Sequence, residues 1–320
     1  AVRNLLVRLV NKMIVTSMFL LNRAVQRLSS VQNFFRQGNG IITSQSPQLV
    51  HNKSNNGQSM QRTHPEEDAT FKSSQDDFRP RRIILIRTGE SEGVVDEFAC
   101  IRTPDWRIPL TPKGRQHARD AGKLLRKLIG KDSQVLFVCS PYERTRETVD
   151  KVRAQLDSER QHVINSKEDP RISQQQKGNF KSAEEVTQAK LERARFGRFY
   201  YRFKNGEAGL DVYNRVSSFV SSLVRDCHQY KQNGYDLENM NVVIVTHGSV
   251  LRLFLMRFFQ FSVQEFEDSE NPVNAQLIPL IKTSGLSGHK WYELENEARR
   301  TLNLPKTSGV PKSVHLHSLR

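Results

Sequence analysis

The run Ile83-Ile84-Leu85-Ile86, leading straight into Arg87-Thr88-Gly89-Glu90-Ser91-Glu92-Gly93, constrains this chain more than any other stretch. Four consecutive aliphatic residues, mostly β-branched, suit a short strand covered on both faces. The Arg-Thr-Gly turn then falls at the carboxyl end of that strand, where open α/β sheets place their ligand sites. The pattern returns at residues 134–139, which end in Ser140-Pro141, and at 241–245, which end in Thr246-His247-Gly248.

Helical patterns separate these runs. Thr111 is a candidate N-cap with Pro112 at the first helical position, opening a helix through His117, Ala118, Ala121, Leu124, Leu125 and Leu128. Further helices are expected at about 142–156, 191–201, 212–230 and 251–259. In the fourth of these five, Val216, Phe219, Val220 and Leu223 follow the i, i+3, i+4, i+7 spacing of one buried face. Strands alternating with helices predict a three-layer α/β/α sandwich with a mainly parallel sheet, over residues 80–297.

The flanks read differently. Residues 1–36 carry Arg3, Arg8, Lys12, Arg23, Arg27 and Arg36 among aliphatics, with no acidic residue. That is the composition of a mitochondrial presequence, and equally of a helix docked on a membrane surface or a partner. Residues 37–79 are a polar linker that cannot bury enough apolar surface to offset its ordering entropy. Residues 298–320 read as a basic tail without periodicity, whose His315 and His317 are too isolated to suggest a metal. The net charge of +15 favours acidic partners such as RNA, anionic lipid or the acidic faces of other subunits. Three cysteines, none in a CxxC pair, argue against a disulfide scaffold or a structural zinc site.

Six stretches in order, 87–93, 110–114, 140–148, 169–180, 197–207 and 245–248, make the chain similar to the histidine phosphatase (phosphoglycerate mutase-like) superfamily. The resemblance covers about residues 81–280 and is nearest the plant, fungal and bacterial branch reading RHGESEGN, LTxxG, SPYxRTRET, DPRxREQDFGNFQ, GRFxYRFPNGES and VSHG. It implies a nucleophilic histidine that takes up the phosphoryl group. It also implies two arginines and a second histidine around the phosphoryl oxygens, and a carboxylic acid for the leaving group. Carried over position by position, Arg87, Arg144 and His247 are the phosphate-binding side chains. Thr88 stands where the nucleophilic histidine belongs. Gln174 stands where the acid belongs, and Ser173 and Lys177 replace an arginine and an aromatic residue. The fold markers Asp169, Pro170, Arg171, Gly178, Asn179 and Phe180 are intact.

A hydroxyl without an adjacent base is a poor nucleophile, and an amide cannot give and retrieve a proton. The expectation is therefore a catalytically inactive phosphatase-like protein that uses no cofactor and serves as an accessory subunit of a large mitochondrial assembly. Both the mitochondrial ribosome and an inner-membrane respiratory complex fit. Protein subunits are the expected partners, with rRNA or anionic lipid meeting the basic extensions. The alternatives are a module that holds a bound phosphate or nucleotide, and a residual phosphatase using His247 with Glu207 or Glu90 as a new acid. The basic aromatic run at 193–204 suits nucleic acid in principle, but the family resembled carries nearly the same run, so the fold accounts for it.

Overall fold

The computed structural model describes residues 77–284 and 290–305. The expected basic helix at 1–36, nearly all of the linker at 37–79 and the tail beyond 305 lie outside the described residues. In chain order the elements are β1 (Arg82–Arg87), α1 (Glu92–Val95), α2 (Ala99–Arg102), α3 (Pro112–Ile129), β2 (Ser133–Cys139), α4 (Glu143–Arg153), β3 (Gln161–Glu168) and α5 (Ala183–Phe196). There follow α6 (Gly209–Gln232), β4 (Met240–Thr246), α7 (Gly248–Phe259), α8 (Val263–Asp268), β5 (Leu277–Ser284), β6 (Lys290–Leu294) and α9 (Asn296–Thr301). Short 3-10 turns occupy Asp105–Arg107 and Pro170–Ile172.

The strands form one sheet in the order β3-β2-β4-β1-β5-β6. The first four are parallel, and β5 and β6 add an antiparallel hairpin. Alternation along β1 divides the core. Ile83 and Leu85 join Leu136, Val242 and Ile244 beneath Val216 and Phe219 of α6 and Leu251 and Phe254 of α7. Ile84 and Ile86 join Phe137, Val243 and Val245 against Ala121 and Leu125 of α3 and Val149 and Val152 of α4. Two helical layers on opposite faces of a largely parallel sheet make the expected three-layer sandwich. Ile84, Leu85 and Ile86 have no exposed surface, and each such burial is worth roughly 1.5–3 kcal/mol. Apolar packing thus fixes β1 firmly and sets the polar turn after it in place.

The elements depart from the sequence reading in five places. The helix expected at 191–201 instead spans Ala183–Phe196, starting at the Ser182 cap and stopping at Gly197, whose φ is +90°. Phe199 and Phe203 are buried in the turn that follows rather than on the helix. Strand β3 is a sheet edge with a largely polar sequence, so it lacks the aliphatic run of its neighbours. Strand β5 contains Pro279, which argues against a sheet interior, yet Pro279 pairs with Ile84. The basic tail placed at 298–320 begins inside α9, where Ala298 and Leu302 are buried; one turn is too short to show a period. At the other end Phe78 packs against the core and its ring lies 4.1 Å from that of His228, so residues 77–79 join the domain rather than the linker.

Candidate functional site at the carboxyl ends of the parallel strands

Parallel pairing of Arg87 with Thr246 places the next residues, Thr88 and His247, side by side where the ladder between β1 and β4 ends. The Thr88 N–H closes the ladder by donating to the Thr246 carbonyl at 2.8 Å. Strand β2, on the far side of β4, delivers Ser140 and the start of α4, which carries Arg144. Sequence-distant residues therefore converge because three strands end at the same level.

Close backbone contact shapes the turn after β1. A Cβ on Gly89 would come 2.5 Å from the Gly114 carbonyl oxygen, and one on Gly114 would come 1.9 Å from that of Glu90. The start of α3 therefore lies directly against the turn. Thr111 caps that helix by accepting from the Gly114 N–H at 2.9 Å, and its own hydroxyl donates to the Glu90 carboxylate at 2.9 Å.

Thr88 is buried. Its hydroxyl donates to the Arg144 carbonyl at 3.1 Å and lies 3.3 Å from the Thr148 hydroxyl. Thr148 also donates to that carbonyl, at 2.6 Å, and accepts from the Gly89 N–H at 3.1 Å. The proton of Thr88 is thus directed at a peptide oxygen. Among the described residues no imidazole or carboxylate is hydrogen-bonded to this hydroxyl. The arrangement ties the β1 turn to α4.

His247 is buried, with Nε2 2.8 Å from the Ser140 hydroxyl and the Tyr142 ring edge-on at 5.1 Å. Burial first, then the positive charges of Arg144, Arg215 and Arg87, holds its pKa well below that of a free imidazole. Its surroundings favour the neutral imidazole. Arg144 is buried too. Its guanidinium donates to the Asp105 carbonyl at 2.5 Å, lies 3.1 Å from the Asp105 carboxylate and sits 4.9 Å from the centre of the Tyr142 ring. Burial lowers its pKa, opposed by the Asp105 charge. Arg87 donates to the Pro272 carbonyl, and burial lowers its pKa as well. The structure therefore gathers Arg87, Arg144 and His247 around one point beside Thr88.

Gln174 lies on the loop after the Pro170–Ile172 turn. Its carbonyl accepts from Arg215 at 3.2 Å, while its side-chain oxygen is buried without a partner. Arg215, on α6, escaped the sequence reading although it adjoins the buried stripe at Val212 and Val216. It binds both oxygens of Glu207 at 2.9 Å and donates to the Arg171 carbonyl at 2.7 Å. Glu207 also accepts from the Gln176 N–H at 2.9 Å. Both Glu207 oxygens are thus engaged as hydrogen-bond acceptors. Glu90 is engaged by Thr111 and Lys113, and these contacts lower its pKa. His117 is half-buried on α3, and its Nδ1 has no partner. Ser140 and Tyr142, from the stretch at 140–148, and Asp105 also belong to the site; only contacts made by folding mark out Asp105.

The histidine phosphatase superfamily (branch 1) family model matches residues 83–285. Phosphoglycerate mutase-like protein AT74H of Arabidopsis thaliana is 41% identical over 232 residues, covering 70% of this chain and 81% of that protein. The broad-range acid phosphatase DET1 of Saccharomyces cerevisiae is 25% identical over 313 residues, covering 68% of this chain and 92% of the other. Among solved structures, a mycobacterial glucosyl-3-phosphoglycerate phosphatase complexed with VO3 shares the fold. It has a TM-score of 0.52 and 20% identity, covering 67% of this chain and 97% of that one. The family match runs from the first residues of β1 into the end of β5, and so spans every strand end that builds the site: the chain belongs to the histidine phosphatase superfamily.

Proposed function

We propose that this chain is a non-catalytic member of its superfamily, serving as an accessory subunit of a large mitochondrial assembly. The observation that carries the non-catalytic reading is the Thr88 hydroxyl. It stands at the nucleophile position and donates its proton to the Arg144 carbonyl. An oxygen held this way has no base to activate it. Gln174 at the acid position removes proton delivery to the leaving group. His247 does not make good the loss: its Nε2 is engaged by Ser140, and Glu207 is bound on both oxygens by Arg215. The assembly and its mitochondrial location rest on the basic, acid-free N-terminal stretch and the net charge of +15.

The test is phosphate release from an aryl phosphate and from phosphoglycerates. The full chain is expected to release no more than its Thr88→Ala variant. Turnover present in the wild type and lost in His247→Ala would sink the proposal. For the assembly, tagged protein is expected to copurify with rRNA or, in detergent, with membrane subunits; recovery of the free chain alone argues against a subunit role.

A second reading is supported by the convergence of Arg87, Arg144 and neutral His247: a pocket that holds a phosphate-bearing ligand without turning it over. The phosphatase names of relatives fit such a ligand class. The two readings are compatible.

A further inference from the structure

Arg144 is not an empty clamp. Both of its terminal nitrogens face Asp105, one toward the backbone carbonyl at 2.5 Å and the other toward the carboxylate at 3.1 Å. The Asp105–Arg107 turn belongs to the connection between β1 and α3. A second cation lies nearby. Lys177 has no hydrogen bond or ion pair among the described residues, and it lies within the electrostatic reach of Asp105, Arg144 and Cys100. Lys177 is exposed as a residue, yet burial pushes its ammonium pKa down, with the Asp105 charge opposing.

The balance of charge around this point is uneven. Arg87, Arg144, Lys177 and Arg215 supply positive charge, and the Glu207 carboxylate is ion-paired with Arg215. That leaves the Asp105 carboxylate as the counter-ion beside Arg144, with Lys177 within its electrostatic reach. We propose that Asp105 is a tethered competitor in this pocket: its carboxylate occupies the position of a ligand's anionic group, and a dianionic phosphate monoester binds by displacing it and taking over Arg144 and Lys177. The inference rests on the phosphate-holding reading above and adds how access to that site is controlled.

Exposure makes the exchange feasible. The Asp105 side chain is 39% exposed and that of Arg144 only 7%. A half-exposed carboxylate released into water is readily resolvated, whereas a buried guanidinium left without an anion is penalised. The carboxylate can leave; the arginine requires a replacement. A dianion offers Arg144 and Lys177 more charge than the carboxylate it replaces. A monoanion offers no such advantage, so Asp105 also acts as a filter on ligand charge.

Calorimetric titration of the full chain with inorganic phosphate at pH 8 tests this. Asp105→Asn is expected to bind at least tenfold more tightly than wild type, and Asp105→Ser to do the same. Arg144→Met is expected to abolish binding in both backgrounds. Adding Lys177→Met to Asp105→Asn is expected to return the affinity toward the wild-type value. Equal or weaker binding by both Asp105 variants overturns the competitor role and leaves the phosphate-holding reading standing. A double variant that keeps the full gain overturns the part given to Lys177. Absence of binding in the wild type and in both Asp105 variants overturns the phosphate-holding reading and this inference together.

Discussion

Thr88 ties the turn after β1 to α4. Its hydroxyl and that of Thr148 share the Arg144 carbonyl, and Thr148 also receives the Gly89 N–H. The two threonines make unequal contributions. Thr88→Val removes one of two donors to a carbonyl that Thr148 still satisfies, and is expected to cost about 1 kcal/mol. Thr148→Val removes a donor and also leaves a buried N–H unpaired, and is expected to cost about 2–3 kcal/mol. Denaturant melts of both variants check the order; a costlier Thr88→Val would show that Thr88 is the principal tie. The residues at 88 and 174 were legible as departures from the resembled motifs because neighbouring motif residues fix the register of both positions. Asp105 was not, since nothing local marks a residue that meets Arg144 only through the fold.

At the scale of elements, the site depends on how closely α3 approaches the β1 turn. Gly89 and Gly114 meet backbone to backbone, so the space for a side chain is already filled by peptide oxygens. Gly114→Ala places its Cβ against the Glu90 carbonyl, with no flexible side chain to yield. A destabilisation of about 3 kcal/mol or more is expected, far above the small gain in helix propensity that alanine brings. Thermal unfolding reads it, and a neutral effect would mean that the turn moves aside freely. Thr111, Pro112 and Gly114 declared this helix start in the sequence because capping is local chemistry. Strands β3 and β5 did not declare themselves. One is a polar edge, and the other carries Pro279, a residue that argues against a sheet interior.

Across the molecule, both ends of the described domain are held by contacts distant in sequence. Leu302 is fully buried, so Leu302→Ala is expected to cost about 2–5 kcal/mol. A change below about 0.5 kcal/mol, normal for a surface site, would return this segment to the tail. At the other end Lys282 bonds to Asp77 at 3.1 Å and to Glu238 at 2.8 Å. Burial acts to raise the Asp77 carboxyl, but hydrogen bonds and charge from Arg79 and Lys282 outweigh it and hold the group at about 2, against 3.8 unperturbed. A depressed carboxylate stabilises the fold above its unfolded pKa and loses that contribution as pH falls through the folded value. Wild type is therefore expected to lose an advantage over Asp77→Asn between pH 4 and pH 2. Urea melts across that range check this, and parallel curves would exclude the linkage.

The sequence by itself determined the sandwich, because buried strands and amphipathic helices are written as local patterns of apolar residues. It also determined which chemical groups stand at positions 88 and 174. Tertiary structure alone decided what those groups do. The Thr88 proton goes to the Arg144 carbonyl, Glu207 is claimed by Arg215, and Asp105 meets Arg144. A hydrogen bond or an ion pair is fixed by distance and direction, and residues 39 or 56 positions apart acquire both only when the strands that carry them end together.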